Sequence, residues 1–543
     1  MVFARRSTTL LAAIIASCAM VLSLTACTSD NKTVVDGQTT VTSNSAGGVA
    51  VFTPSDAITL NQQTPLNKWA KLVPDLAKAL ADAGFKKGDI DHTTSDSLAK
   101  QSRAIQDFVV DHLSNNTTDD SGIAIAPDNM TLLVAPVVEA DASTRQYGDY
   151  ISQNLSTNDA TDEGATSDGE SSEDDSSKDD SSNTESDSTA SDEQAQAVDR
   201  LVSSLKLAKE SGMHVVLLGN SIEGYKPDAF VKFSDAQTIG KLQAEKMVSK
   251  LKLDKASKDN PKYIEVLLPY TAVDEKGNAN DSTFAQEAFR GIWQVLGSYY
   301  QKGVVESPSG TLDGKSTEND WQAVAYDAAK EGSTAKVLDK RLAKTDGQST
   351  LTRIDGIITM NDYIASEVVK ELDDLGYTGS AADINPQITI SGIVGNITGK
   401  KDLSRDAVPD PIKSPENDNT NDSSSSDDDA DEDTSASDKD RDSQWPLVTG
   451  YGAYVSNIPS IVNGKQWMTG MEDRQTIATD IAQACAKLNK DEALNSMPSI
   501  RNSEVGGVKK IPTISEPLLA VSASNLKSAL IDPGYISLAD AGL

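Results

Sequence analysis

Met130-Thr-Leu-Leu-Val-Ala-Pro-Val-Val138 is a nearly unbroken apolar run of strand length. A strand with one wet face would alternate apolar and polar residues; this one does not, so it belongs in a parallel sheet covered by helices on both sides. Residues 194–212 continue the pattern as a helix closed by Gly212, and His214-Val-Val-Leu-Leu218 is a second apolar run directly behind it. The three make one strand–helix–strand unit. Upstream, residues 49–52 read as the first strand and residues 99–113 as a helix. Between them, residues 69–83 set Leu72, Val73, Leu76, Leu80 and Ala83 on one stripe, with Gly84 as the stop.

A second series starts near Phe230. Helices over 238–251, 283–300, 321–344 and 363–376 alternate with strands over 263–268, 355–359 and 387–393. Two consecutive series predict an α/β fold of two Rossmann-like lobes. Residues 387–393 and 447–449 are either one interrupted element or two strands.

At 543 residues and 38% hydrophobic content the chain can bury two or three real cores. The net charge of -33 is local: residues 155–193 and 402–442, rich in Ser, Asp, Glu, Asn and Thr, together carry about -24 of it. Such runs bury too little apolar surface to offset the entropy of ordering, so both are expected to be disordered acidic insertions. The first interrupts a strand-to-helix connection, where added length costs little. An acidic surface lacks the Lys and Arg that displace counterions from nucleic acid, which excludes that partner. Cys485 sits among Ile477, Ile481, Ala484 and Leu488 at helical spacing and reads as a small core residue. His92, His112 and His214 are scattered, which predicts no metal site, and no nucleophile elbow or phosphate-cradling loop points to an enzyme. Asp373-Asp374 marks a solvated helix face.

Arg5 and Arg6 precede an apolar run over residues 10–24 that ends in Leu24-Thr25-Ala26-Cys27. That layout predicts a secretory signal over residues 1–26, too short for a comfortable membrane span. Cys27 at the cleavage point resembles the lipobox of bacterial lipoproteins, whose thiol receives a diacylglycerol before cleavage. The resemblance implies a mature chain that begins at Cys27 outside the cytoplasm, anchored to the bacterial cell membrane by lipid, with residues 27–47 as a polar, disordered tether.

Further along, Val448-Thr-Gly-Tyr-Gly-Ala453, Asn463-Gly-Lys-Gln-Trp-Met-Thr469 with Asp473-Arg474, the turn Thr359-Met-Asn-Asp362, and a tail from Gly507 to Tyr535 containing Lys509-Lys-Ile-Pro-Thr-Ile-Ser-Glu-Pro517 follow one another in a fixed order. In that combination the sequence resembles the type I periplasmic sugar-binding proteins of ABC importers, in the xylose-binding and multiple-sugar-binding branch, from about Gly48 to the C-terminus outside the two insertions. The resemblance implies two lobes, residues 48–233 with about 473–514 and residues 234–472 with about 515–543, joined by hinge strands and closing on a sugar. It implies a monomer with no cofactor.

Carried over residue by residue, the resemblance implies ligand contacts at Lys68 and Trp69, at Trp321 behind Asn319-Asp320, at Asn361 at a strand end, and at Asn220 or its neighbour Ser221. Lys68 and Trp69 read equally as a helix-start lysine beside a core tryptophan, and Asp235 reads as a helix cap. Other contacts of the branch are replaced. Val138 stands for an amide or carboxylate, Gly452 for an aspartate, and Glu472 for a lysine twenty residues later. Glu472 either supplies the missing carboxylate from the other side of the cleft or points to solvent in a pocket that no longer suits a pentose or hexose.

The function so implied is a lipid-anchored substrate-binding protein that captures a carbohydrate by hinge closure and delivers it to an ABC permease, with the tether raising its local concentration. The alternative is a surface sensory or interaction protein on the same scaffold that has lost sugar transport.

Overall fold

β1 (Gly48–Pro54) is buried from end to end bar its last residue, as its composition demands. It lies between two parallel partners, β2 (Ile90–Ser95) and β3 (Met130–Val134). The sheet continues through β5 (His214–Leu218) and β7 (Ala229–Val231), giving the order β2-β1-β3-β5-β7. Helices α1 (Trp69–Asp82), α2 (Leu98–Asn115) and α3 (Thr184–Glu210) connect these strands. In α1 the buried residues Trp69, Leu72, Leu76 and Leu80 recur at helical spacing, and the stripe packs on one face of the sheet. The pair α2 and α3 covers the other.

The computed structural model describes residues 33–35, 38–40, 46–55, 65–115, 129–138, 144–156, 184–273, 280–343, 351–381 and 445–543. The signal segment, Cys27, the acidic run over 402–442 and the strand expected over 387–393 lie outside these. Within the expected disordered tether, Thr33–Val35 pairs antiparallel with Gln38–Thr40 as a small ladder of its own. Two further expectations for the first insertion are corrected. Leu155 belongs to a short strand, β4 (Asn154–Leu155), which pairs with β6 (Ser221–Ile222), and α3 begins at Thr184, so the last ten residues of the expected insertion are helical. Composition alone misses this because extending a helix already nucleated by the packed residues after 194 needs no apolar face of its own.

The second sheet has the order β10-β8-β12-β13, all parallel: β10 (Val305–Glu306), β8 (Lys262–Val266), β12 (Gly356–Ile358) and β13 (Leu447–Val448). Helices α4 (Ala236–Leu251) and α5 (Thr283–Gln301) pack on one side of it, while α7 (Ser333–Arg341) and α8 (Asp362–Leu375) pack on the other. The helix expected over 321–344 is broken. A single turn, α6 (Trp321–Val324), gives way to β11 (Ala325–Tyr326), which pairs with β9 (Leu268–Pro269), and α7 starts afresh after Gly332 in the left-handed region. The pairing takes up backbone groups that a continuous helix would have bonded internally.

The chain passes between the sheets three times. It crosses near Ser234 from β7 to α4, and near Glu472 from β14 (Met468–Met471) to α9 (Arg474–Leu488), which packs on α1. The hairpin of β15 (Ile500–Val505) and β16 (Val508–Ile514) then extends the first sheet beside β7, and the chain crosses a third time to β17 (Leu519–Ser522), antiparallel to β14. This is the two-lobed α/β architecture with hinge strands that the sequence implies. In both sheets the strand order reverses beside the first strand, between β1 and β3 and between β8 and β12. Open α/β sheets hold ligands in the crevice beyond the carboxyl ends at such a reversal. No helix of the described residues is long and apolar enough to cross a membrane.

Candidate functional site

Met360 and Asn361 follow the carboxyl end of β12 after Thr359. Met360 is buried with φ of 68°, a backbone conformation in which only a constrained site holds a side chain of its size. The kink turns the chain from strand to helix and leaves Asn361, fully buried, to cap α8: its Oδ1 accepts from the Ile364 amide at 2.9 Å. Its Nδ2 donates to Gln146 Oε1 at 3.2 Å. Asp362, also buried, accepts from Gln466 Nε2 at 2.7 Å, Thr469 Oγ1 at 2.8 Å and the Tyr454 amide at 2.9 Å. Burial nonetheless raises its pKa to about 6.

Gln146 belongs to residues 144–156, the part of the β3-to-α3 connection that flanks the first acidic run. The segment meets the first lobe through several bonds. Asp149 Oδ1 accepts from Lys68 Nζ at 2.7 Å, and its Oδ2 accepts from the Trp69 amide at 3.1 Å, so it caps α1 from outside the helix. The Asp149 amide donates to Asn67 O at 2.8 Å, and the Tyr150 hydroxyl donates to Lys68 O at 2.6 Å. Further on, the Gln153 amide donates to Asn220 Oδ1 at 2.9 Å, while Asn220 Nδ2 donates to Pro136 O at 2.9 Å. Ser221, the other candidate at that position, donates to Asn154 Oδ1 at 2.8 Å.

Of the six expected contact residues, Lys68, Asn220 and Asn361 therefore share one neighbour, the 144–156 segment, and each gives it a side-chain group. Trp69 is buried in the core of the first lobe, with edge-on contacts to Tyr150 at 5.1 Å and Phe233 at 5.7 Å between ring centroids. Glu472 does not point to solvent. It is 1% exposed, and its Oε1 accepts from the Ser234 amide at 2.7 Å, from the Ser234 hydroxyl and from the Tyr451 hydroxyl at 3.4 Å. Burial pushes its pKa up to about 7 against the pull of those donors. Asp235 caps α4 through the Thr238 amide at 2.7 Å, as expected.

Gly452, where the resemblance implies an aspartate, sits in a backbone conformation that favours glycine. Its φ is 112°, and a Cβ there would lie 2.9 Å from the Tyr454 ring. Its carbonyl accepts from the Leu66 amide at 2.9 Å, tying the two lobes together by backbone.

Trp321 stands apart from the others, in a cavity of about 370 Å³ on the second lobe at the ends of β9 and β11. That size is within the range of about 300–1,000 Å³ for small-molecule sites. Tyr270, Trp321 and Tyr326 supply aromatic walls, and Thr271, Gln322 and Asp327 supply polar groups. Tyr270 meets Trp321 edge-on at 5.1 Å, and Thr271 Oγ1 donates to Asp327 Oδ1 at 2.9 Å. Hydrogen bonds from the Ala329 amide, Thr271 and Lys330 hold the Asp327 carboxylate below its ordinary pKa, outweighing the desolvation that opposes them. Among the described residues no group of side chains could hold a metal ion. Of this lining the sequence offers Trp321 alone; Tyr270, Tyr326 and Asp327 carry no signal, because β9 and β11 are two-residue strands with no periodicity. Gln146, Tyr147 and Asp149 carry no periodic signal either, although Arg145-Gln-Tyr-Gly-Asp-Tyr150 is an aromatic cluster ahead of a run without aromatics.

Neither a family model nor a curated relative matches this sequence. Similar solved structures include an ABC transporter solute-binding protein from Clostridium phytofermentans with bound β-D-glucose, 17% identical over 91% of this chain and 99% of that one, with a TM-score of 0.44. A carbohydrate transporter solute-binding protein from Chloroflexus aurantiacus in complex with D-glucose is 18% identical over 91% of this chain and 98% of that one, with a TM-score of 0.42. A periplasmic ribose ABC transporter protein from Conexibacter woesei is 13% identical over 90% and 96%, with a TM-score of 0.41. The bound sugars are properties of those proteins.

Proposed function

We propose that this chain is an extracytoplasmic substrate-binding protein, lipid-anchored through Cys27, that takes a carbohydrate at the Trp321 cavity and presents it to an ABC permease. The moving bodies would be residues 48–233 with 473–514 and residues 234–472 with 515–543. The observation that carries the reading is the make-up of the cavity. Aromatic faces suit the C–H surfaces of a sugar, and a carboxylate, an amide and hydroxyls beside them suit its hydroxyl groups. Binding and release involve no bond making, so no catalytic step is part of this function.

A thermal-shift screen of the mature protein against mono- and disaccharides tests it, because a ligand that binds only the folded state raises apparent stability. At least one carbohydrate is expected to raise the melting temperature, with affinity falling tenfold or more in Trp321→Leu and Asp327→Ala. A panel with no stabilising sugar sinks the reading. The second reading, a surface sensory or interaction protein without transport, is favoured by the pairing of Lys68, Asn220 and Asn361 with the protein's own segment.

A further inference from the structure

Tyr147 is one of two fully buried tyrosines of the 144–156 segment, with Tyr150. It is 1% exposed, and its neighbours belong to the second lobe although its backbone is bolted to the first. Its ring lies 4.7 Å from that of Phe284 on α5 and 6.2 Å from that of Tyr451. Ile151 packs into the same core. Beside it, Gln146 bridges polar groups of the second lobe: its Oε1 accepts from Asn361, and its carbonyl accepts from the Tyr454 hydroxyl at 2.6 Å. Gly148 makes the close approach possible, with φ of 95° and the Asn67 carbonyl 2.5 Å from where a Cβ would stand.

We propose that residues 144–151 are a built-in occupant of the seam between the lobes, which keeps them together as a bound ligand would. A ligand closes a two-lobed protein by contacting both lobes, favouring the closed state by the sum of those contacts. The segment does this from within the chain. Asp149 and Tyr150 hold it to the first lobe, while Gln146 and Tyr147 enter the second. It takes up Lys68 and Asn361, two of the groups that the resemblance assigned to a sugar, and Gln153 just beyond it takes up a third, Asn220. The fit is not perfect. The Tyr147 hydroxyl lies beside the Asn361 side chain, yet it has no hydrogen-bond partner of good geometry among the described residues, nor has Asn67 Nδ2. Buried polar groups left unpaired oppose burial, so the occupant is held less firmly than the sheets on either side. The proposal is independent of any carbohydrate at the Trp321 cavity.

Hydrogen exchange on the mature chain without added sugar tests it. Amides over 144–151 and 447–457 are expected to be protected in the wild type. Tyr147→Ala should speed exchange over 447–457, on the opposite lobe, by tenfold or more, while 214–218 and 262–266 in the two sheets stay unchanged. Tyr147→Phe, which keeps the ring, should exchange like the wild type. Free exchange over 144–151 in the wild type overturns the proposal even if Tyr147→Ala does not fold. So does a Tyr147→Ala protein whose 447–457 amides remain as protected as before.

Discussion

Glu472, on the second crossing between the lobes, accepts hydrogen bonds from both the amide and the hydroxyl of Ser234 on the first crossing. One carboxylate therefore joins two crossings whose bonded residues are 238 apart in sequence. The position where the resemblance has a lysine thus ties the hinge itself.

Protonation of Glu472 should be visible in stability. Its folded pKa, near 7, is above the ordinary 4.5 because burial penalises the charge. Between these values the folded state holds more protons than the unfolded one, so its contribution is complete below about pH 4.5 and is lost as pH rises through about 7. The full effect is about 3 kcal/mol. Buried Asp362, near 6, adds a slope of the same sign. In Glu472→Gln the loss over pH 5–7 should be smaller, which urea unfolding at several pH values measures. Parallel curves for variant and wild type would contradict the assignment.

Asp149 does two jobs that can be separated. It pairs with Lys68 and it caps α1 through the Trp69 amide. Lys68→Ala removes only a partly exposed ion pair, worth up to about 1 kcal/mol. Asp149→Ala also leaves the helix start uncapped, for a total of about 1–3 kcal/mol. Denaturant unfolding should rank Asp149→Ala below Lys68→Ala, and the reverse order would remove the capping role.

The strands and helices that were legible in sequence are those whose burial is periodic: α1, β3, β5, α5 and α8 appear within a few residues of their expected bounds. β2 was missed because Asp91, His92, Thr93 and Thr94 are exposed on an edge, so nothing in Ile90–Ser95 alternates. The candidate site was less legible for a different reason. The resemblance names positions that would face a cleft, and the side chains of Lys68, Asn220 and Asn361 bond residues 144–156 instead. What meets those groups depends on residues 144–156, which lie in a connection and carry no periodic signal.

Gly452→Asp puts back the carboxylate that the resemblance leads one to expect. It should not create a binding site. The φ of 112° is strained for any residue with a Cβ, and the new atom would press on the Tyr454 ring. A loss of about 2 kcal/mol or more is expected, with no new sugar affinity by calorimetry. A variant as stable as the wild type, or one that gains a sugar, would mean that Gly452 is not held as described.

If cleavage leaves Cys27 first, as proposed, the chain keeps two cysteines, Cys27 and Cys485, and the proposed anchor can be tested by simple chemistry. Cys485 is fully buried in α9, and its thiol pKa is raised by burial, so the thiolate that reacts with disulfide reagents is scarce and shielded. Folded protein should therefore show no fast-reacting thiol at Cys485, and denatured protein should show one. Cys27 then decides the count. If its sulfur carries a lipid through a thioether, protein extracted from membranes gives none when folded and one when denatured. If the signal is removed without lipidation, the counts become one and two, because Cys27 at the start of the chain has its thiol free. Cys27→Ser should block lipidation and the cleavage that follows it, so the signal segment with Cys18 stays on the chain; the double variant Cys18→Ser/Cys27→Ser should carry no lipid, remain uncleaved and give counts of none and one. A wild type that gives one and two excludes the lipid anchor, and a folded Cys18→Ser/Cys27→Ser protein that still reacts at once excludes the buried setting of Cys485.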